Sequence, residues 1–151
     1  MLETQNGYEL SDDKSRLDHD FIHHELSHSY WAEAIPRSLT EKSVQHSLCF
    51  GIYHNGSQVA FARVVSDFAT FGYLCDVIVS ENHRGAGLGK WLMQCIMAHP
   101  DIQGLRRFML ATRDAHTLYE RFGFHIPAHP ERLMEIVYPG MYKAQQADGN
   151  L

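Results

Sequence analysis

The spacing of apolar residues changes along the chain, and each change predicts an element. Leu17, Phe21, Ile22, Leu26 and Tyr30 recur at helical spacing, which predicts a helix from Leu17 to Trp31. A second short helix is expected after Pro36, with Ser38 or Thr40 as its cap. From residue 48 the period drops to two. Leu48, Phe50 and Ile52 fall on one face of a strand. Val59, Phe61 and Val65 fall on one face of the next, with Arg63 in the same register. Asn55-Gly56 lies between them and supplies the positive φ angles of a tight turn, so residues 48–65 read as a β-hairpin. Residues 73–79, YLCDVIV, are a nearly continuous apolar run, as expected of a central strand buried on both faces.

Beyond a glycine-rich turn, Leu88, Trp91, Leu92, Cys95 and Ile96 mark an amphipathic helix that Pro100 limits. RRFMLAT (106–112) reads as another strand. DAHTLYERFG follows as a helix, with Ala115, Leu118, Tyr119 and Phe122 on one side and Gly123 as its left-handed C-terminal residue. LMEIV (133–137) is expected to be a last strand, residues 141–151 a frayed polar tail, and a short strand fits near Tyr8–Leu10. The whole chain, 1–151, reads as a single α/β (α+β) domain with helices covering a sheet.

Composition narrows the class. With 44% apolar and 21% charged residues the chain is an ordinary globular protein rather than a disordered one. A net charge of −5 without a long basic run argues against a nucleic-acid partner. No apolar run reaches the roughly 18–20 residues that span a bilayer, and MLETQNGYELSDDK lacks the features of a signal peptide, so no membrane partner is expected. Cys49, Cys75 and Cys95 are odd in number, lack C-x-x-C spacing and lie in apolar stretches. Buried reduced thiols in a cytoplasmic protein are the expectation.

The most informative stretch is VIVSENHRGAGLGK, 77–90. A strand ends, glycines follow, and a helix begins. That order aims free backbone N–H groups and the positive helix end at one point, which suits an anion such as a phosphate. The dinucleotide pattern G-x-G-x-x-G fails at Lys90, and the P-loop pattern fails at Arg84 and Trp91. The pattern that fits is R-x-x-G-x-G, Arg84 to Gly89, and here the chain resembles the GNAT superfamily of N-acetyltransferases. LYERFGF, 118–124, is similar to that family's L-Y-x-x-x-G-F block and comes in the expected order. The chain departs from the family at Ser80-Glu81-Asn82-His83, where a proline is frequent, and at Thr112, where Asn is frequent.

The resemblance implies a GNAT-like mixed, mostly antiparallel sheet flanked by helices. It implies acetyl-CoA as co-substrate, no metal, and a primary amine of a small molecule or peptide as acceptor. It also suggests a homodimer, since relatives are often dimers. Cofactor contacts fall on Val77, Ile78, Val79, Arg84, Gly85, Ala86, Gly87, Leu88, Gly89, Lys90, Thr112 and Tyr119. Tyr119 is the expected general acid, since a phenol is protonated at neutral pH and can donate to a departing thiolate. Asp76 is the first candidate for general base, because an aspartate inside an apolar run is costly unless paired or used. Asp67, Glu81 and His116 are alternatives. A non-catalytic acyl-CoA-binding module would share the loop without needing Tyr119.

One competing motif remains. His24-Glu25-Leu26-Ser27-His28 matches the zinc-protease pattern H-E-x-x-H, and both histidines would share a helix face. No third ligand sits in a recognisable extended motif, in a chain with 11 histidines. Histidines that pack or line the substrate pocket are the expectation.

Overall fold

The computed structural model of the chain describes residues 1–149. Six strands form one sheet in sequence order: β1 Leu2–Gln5, β2 Tyr8–Ser11, β3 Leu48–His54, β4 Ser57–Ser66, β5 Phe71–Val79 and β6 Arg107–Leu110. Every neighbouring pair is antiparallel except β5 and β6, which are parallel. The helices are α1 His19–Ser27, α2 Arg37–Gln45, α3 Leu88–Ala98, α4 His116–Glu120 and α5 Met141–Ala147.

Helices on both faces give the sheet two cores. On one side Leu88, Leu92, Met93 and Ile96 of α3 pack on Phe50, Ile52, Ala60, Ala62, Val64 and Leu74. On the other, Ile22 and Leu26 of α1 and Val44 of α2 pack on Cys49, Phe61 and Ile78. The alternation of β4 therefore serves two faces rather than one. Ile52 pairs with Ala60 and Tyr53 with Gln58, so Val59 is the extra residue of a bulge. The bulge turns Val59 to the α3 core while Phe61 faces α1, and Val65 is exposed.

Two hairpins share one turn chemistry. Asn55 and Gly56 have φ of 49° and 81°, and Asn6 and Gly7 have 50° and 82°. The first was expected. The second joins β1 to β2, and hydrophobic alternation cannot reveal it because all four residues of β1 are exposed.

Helix limits differ from expectation for local reasons. α1 begins after Asp18, whose carboxylate accepts from the N–H groups of Asp20 and Phe21. It stops at Ser27 rather than Trp31. The hydroxyls of Ser27 and Ser29 donate to the carbonyls of His24 and Leu26, and Ala34 has φ of 63°. Neither Ser38 nor Thr40 caps α2. Pro36 occupies that position without a side-chain bond, and Thr40 is buried.

The C-terminal region departs most. LMEIV forms no ladder: residues 133–138 belong to no helix or strand and are exposed. Residues 141–147 are a helix, not a frayed tail. Tyr142 packs against the α1 core, Lys143 pairs with Glu33 at 2.8 Å, and Gln146 donates to the Ala34 carbonyl. The last two residues of the expected tail lie outside the described residues.

All three cysteines are free, with Cys49 and Cys95 buried and Cys75 partly so. Burial pushes the Cys49 thiol up to about 11, Cys75 to about 12 and the Tyr53 phenol to about 12. Each ionises more readily in the unfolded chain, so this stability is complete below the ordinary values of 9 and 10 and is lost as pH rises towards 12. The urea midpoint is expected to be clearly lower at about pH 10.5 than at about pH 8, with an unchanged slope.

Candidate active site

The sheet opens between its last two strands, β5 and β6. The β5–β6 ladder runs from Phe71↔Arg107 to Leu74↔Leu110 and ends there, while β5 continues to Val79. On its other side β5 stays paired with β4, but Phe61 faces Ile78 and Arg63 faces Cys75. Two residues of β5, Asp76 and Val77, therefore oppose one of β4. Asp76 takes φ of 54° in this bulge, a left-handed value that Asp adopts more readily than most residues. Past the bulge the faces of the strand exchange. Leu74 packs in the α3 core before it, and Val77 and Val79 pack there after it, whereas Ile78 joins the α1 core. The expected run buried on both faces is thus an alternating strand with one register break. Along Val77, Ile78 and Val79 the backbone edge towards β6 has no ladder partner.

The glycine loop lies at the end of that edge. A short turn, Glu81–His83, leads to Arg84, whose Nε donates to the Val79 carbonyl at 3.3 Å. Gly85 and Gly87 have φ of 80° and 76°, and a Cβ at either would meet nothing within 4 Å. Backbone conformation therefore demands glycine here, and the space in front is open. The first helical bond runs from the Trp91 N–H to the Gly87 carbonyl, which leaves the amides of Leu88, Gly89 and Lys90 ahead of the ladder. Gly85, Ala86 and Gly87 are exposed just before them. The amides and the helix end form a site for an anion.

α4 stands beside this loop. A Cβ on Gly89 would lie 3.8 Å from the Leu118 side chain. Phe124 N–H donates to the Tyr119 carbonyl and Gly123 N–H to that of Glu120, the two bonds of a Schellman motif. The rings of Tyr119 and Phe124 meet edge-on at 6.1 Å. The spacing of Tyr119, Gly123 and Phe124 is therefore a helix-end device that fixes Tyr119. Gly123 has φ of 89°, so Gly123→Ala is expected to cost about 1–2 kcal/mol of stability, read as a lower denaturant midpoint.

Tyr119 is buried, and its hydroxyl makes no hydrogen bond among the described residues. Burial, then the nearby Tyr30 phenol and Asp114, push its pKa up. The group stays protonated at neutral pH and is free to donate. Thr112 is committed locally, its hydroxyl accepting from the Ala115 N–H at 3.0 Å at the entrance to α4.

On the opposite face Asp76 is buried and bonded through both oxygens. Trp31 Nε1 donates to one at 2.9 Å and Arg63 Nε to the other at 2.5 Å. Arg63 also donates to the Ser47 hydroxyl. The Trp31 bond ties the α1–α2 loop to the bulge, and Arg113 stacks over Tyr30 of the same loop at 3.9 Å. An aromatic wall thus runs from the bulge to the β6–α4 loop. The aromatics of 29–37 could be read from the sequence, but the Trp31–Asp76 and Arg113–Tyr30 pairs could not. The other carboxylates sit elsewhere. Asp67 accepts from the amides of Ala69, Thr70 and Phe71 and from the Thr70 hydroxyl, which hold it far below the usual carboxylate range. Glu81 is exposed in the turn before Arg84, and His116 is exposed on α4.

The H-E-x-x-H stretch forms no site. His24 and His28 are exposed, not packed, and the His28 ring bonds the His24 carbonyl at 2.7 Å. Among the described residues no group of three His, Cys, Asp or Glu side chains could hold a metal ion.

A mixed, mostly antiparallel sheet that splays beside a bulged strand, with an amide-rich loop at the splay, defines the GNAT fold class. The acetyltransferase (GNAT) family matches residues 9–124, and the chain belongs to that family. A candidate GNAT acetyltransferase from Xanthomonas campestris pv. campestris has a solved structure 54% identical to this chain, with a TM-score of 0.89 over 92% of this chain and 99% of that one. A candidate acetyltransferase from Gibberella zeae is 33% identical over 139 residues, 77% of each chain. A GNAT acetyltransferase from Elizabethkingia anophelis, solved with acetyl-CoA bound, shares the fold at a TM-score of 0.63 and 11% identity, over 89% of this chain and 90% of that one.

Proposed function

We propose that the protein transfers an acetyl group from acetyl-CoA to a primary amine of a small molecule or peptide by direct attack. The observation that carries this reading is the parting of β5 from β6 beyond Leu74 and Leu110, with the free amides of the glycine loop at one end and the Tyr119 hydroxyl on α4 beside them. The acetyl-CoA held by the Elizabethkingia anophelis protein of the same fold supports the choice of co-substrate.

Bound acetyl-CoA supplies an acyl thioester. The amides of Gly85 to Lys90 donate to its diphosphate, and Arg84 adds positive charge at the loop entrance. The open edge of Val77–Val79 receives the pantetheine arm as a strand receives a peptide, and an N–H near Val77 stabilises negative charge developing on the carbonyl oxygen. As the new C–N bond forms and the C–S bond breaks, Tyr119 gives its proton to the leaving sulfur. Asp76 receives the proton of the attacking amine through water, by the lone pairs that Trp31 and Arg63 leave free. The aromatic wall of Tyr30 and Trp31 borders the acceptor.

Calorimetry with acetyl-CoA and a thiol-release screen against amino acids, polyamines, aminoglycosides and peptides test this directly. Binding with at least one productive amine is expected. Failure to bind acetyl-CoA overturns the reading, and binding without turnover on any amine favours a non-catalytic acyl-CoA-binding module.

A further inference from the structure

The acceptor side of the site carries a cation that the chemistry above does not use. Arg113 follows Thr112 in the loop between β6 and α4, and its side chain is 65% exposed. Arg16, Arg37 and Arg63 each donate to a carboxylate at hydrogen-bond distance. The carboxylate nearest to Arg113 among the described residues, that of Asp114, is 3.7 Å away, beyond a hydrogen bond. The guanidinium is held by its face instead. It lies over the Tyr30 ring, 3.9 Å from the centroid.

Both partners of that stack are fixed from the backbone. The Ser29 hydroxyl donates to the Leu26 carbonyl and accepts from the Ala32 N–H, which pins the turn that presents Tyr30. The Thr112 hydroxyl accepts from the Ala115 N–H, which pins the turn that presents Arg113. The donors of a guanidinium lie in its plane, so a stack that covers one face leaves them pointing outward along the edge. Such an edge matches a carboxylate in two parallel hydrogen bonds.

The aromatic wall therefore has opposite charges at its two ends. Asp76 stands at the Trp31 end, where the indole Nε1 reaches its carboxylate, and Arg113 stands at the Tyr30 end. Between them the Tyr30 and Trp31 rings meet edge-on at 5.0 Å, and these residues are 53% and 47% exposed. Tyr30 also lies close enough to Tyr119 to help raise its pKa, so the wall borders the acid. We propose that Arg113 reads the acceptor: the molecule acetylated carries a carboxylate several bonds from its amine, as an ω-amino acid or a short peptide does. The carboxylate docks on the guanidinium edge, the chain between lies on Tyr30 and Trp31, and the amine reaches the Asp76 end. The amine and carboxylate of an α-amino acid are borne by one carbon, too close together to span two rings. The inference rests on the acetyl transfer proposed above and adds the chemical class of the acceptor.

Matched acids and amides test this. The probes are γ-aminobutyrate, ε-aminocaproate and glycylglycine, each against its own carboxamide, as acceptors in thiol release from acetyl-CoA. At least one acid is expected to exceed its amide in kcat/KM by about tenfold or more, chiefly through a lower KM. Arg113→Gln should bring that ratio close to unity, and Tyr30→Leu, which frees the guanidinium from its stack, should lower it part of the way. Turnover of acids and amides alike overturns the acceptor class and leaves acetyl transfer standing. Parallel losses on acid and amide in Arg113→Gln also overturn it, since the residue then only buttresses the wall. Should no member of the panel be turned over, acetyl transfer is what fails, and calorimetric titration of the same pairs into the protein with CoA present decides the subsite. Acid binding about tenfold tighter than amide binding, lost in Arg113→Gln, supports it, and equal or absent binding overturns it.

Discussion

Tyr119→Phe is expected to lower kcat by about 10²–10⁴-fold, the usual contribution of a positioned general acid, and to leave acetyl-CoA affinity unchanged. The substitution removes one atom. The Tyr119 ring packs edge-on against Phe124, and α4 is held by the Gly123–Phe124 helix end, so a phenylalanine keeps the same place. The hydroxyl has no hydrogen bond among the described residues, so its loss strands no buried partner. Stability should therefore hold while turnover falls. A pH profile adds a second readout. Burial, with Tyr30 and Asp114 nearby, moves the phenol above its ordinary value of 10, so the acid stays competent throughout the neutral range. The wild-type alkaline decline assigned to it should lie above pH 10 and be missing from the variant. Full turnover in Tyr119→Phe would show that the residue only packs.

What could be read in the sequence was what is encoded locally. The loop at 84–90 is legible because glycine, helix start and amides are contiguous, and LYERFGF because its spacing is that of one helix end. The hairpin at 55–56 is likewise a two-residue signal, whereas the same signal at Asn6-Gly7 lacks the flanking alternation that marks a hairpin, because β1 has no buried face. Features made by distant residues were not legible. Asp76 stood out as a misplaced charge, yet its partners lie 13 residues away in Arg63 and 45 away in Trp31. The register break at that residue is equally silent in the alternation, which a single extra residue reverses. LMEIV has the composition of a strand but forms none, because composition alone does not supply a neighbouring strand to pair with.

Arg63→Met and Asp76→Asn together separate the two duties given to Asp76. Its side chain is 6% exposed and that of Arg63 18%, so each variant leaves the other partner largely out of water. Either single change is expected to cost about 3 kcal/mol of stability, as for a broken buried ion pair, and the double variant less than the sum of both. Asp76→Ala should be worse than Asp76→Asn by roughly 1–2 kcal/mol, because alanine tolerates φ of 54° less well than asparagine. Turnover then distinguishes the roles. Arg63→Met retains the carboxylate, so at a temperature where both variants are folded it should keep most of the wild-type kcat. Asp76→Asn retains the Trp31 bond and the bulge but has no carboxylate to receive a proton, and its kcat should fall by about 10²-fold or more. If both variants lose activity in proportion to stability, Asp76 serves the wall and the bulge alone, and the amine's proton leaves by another route.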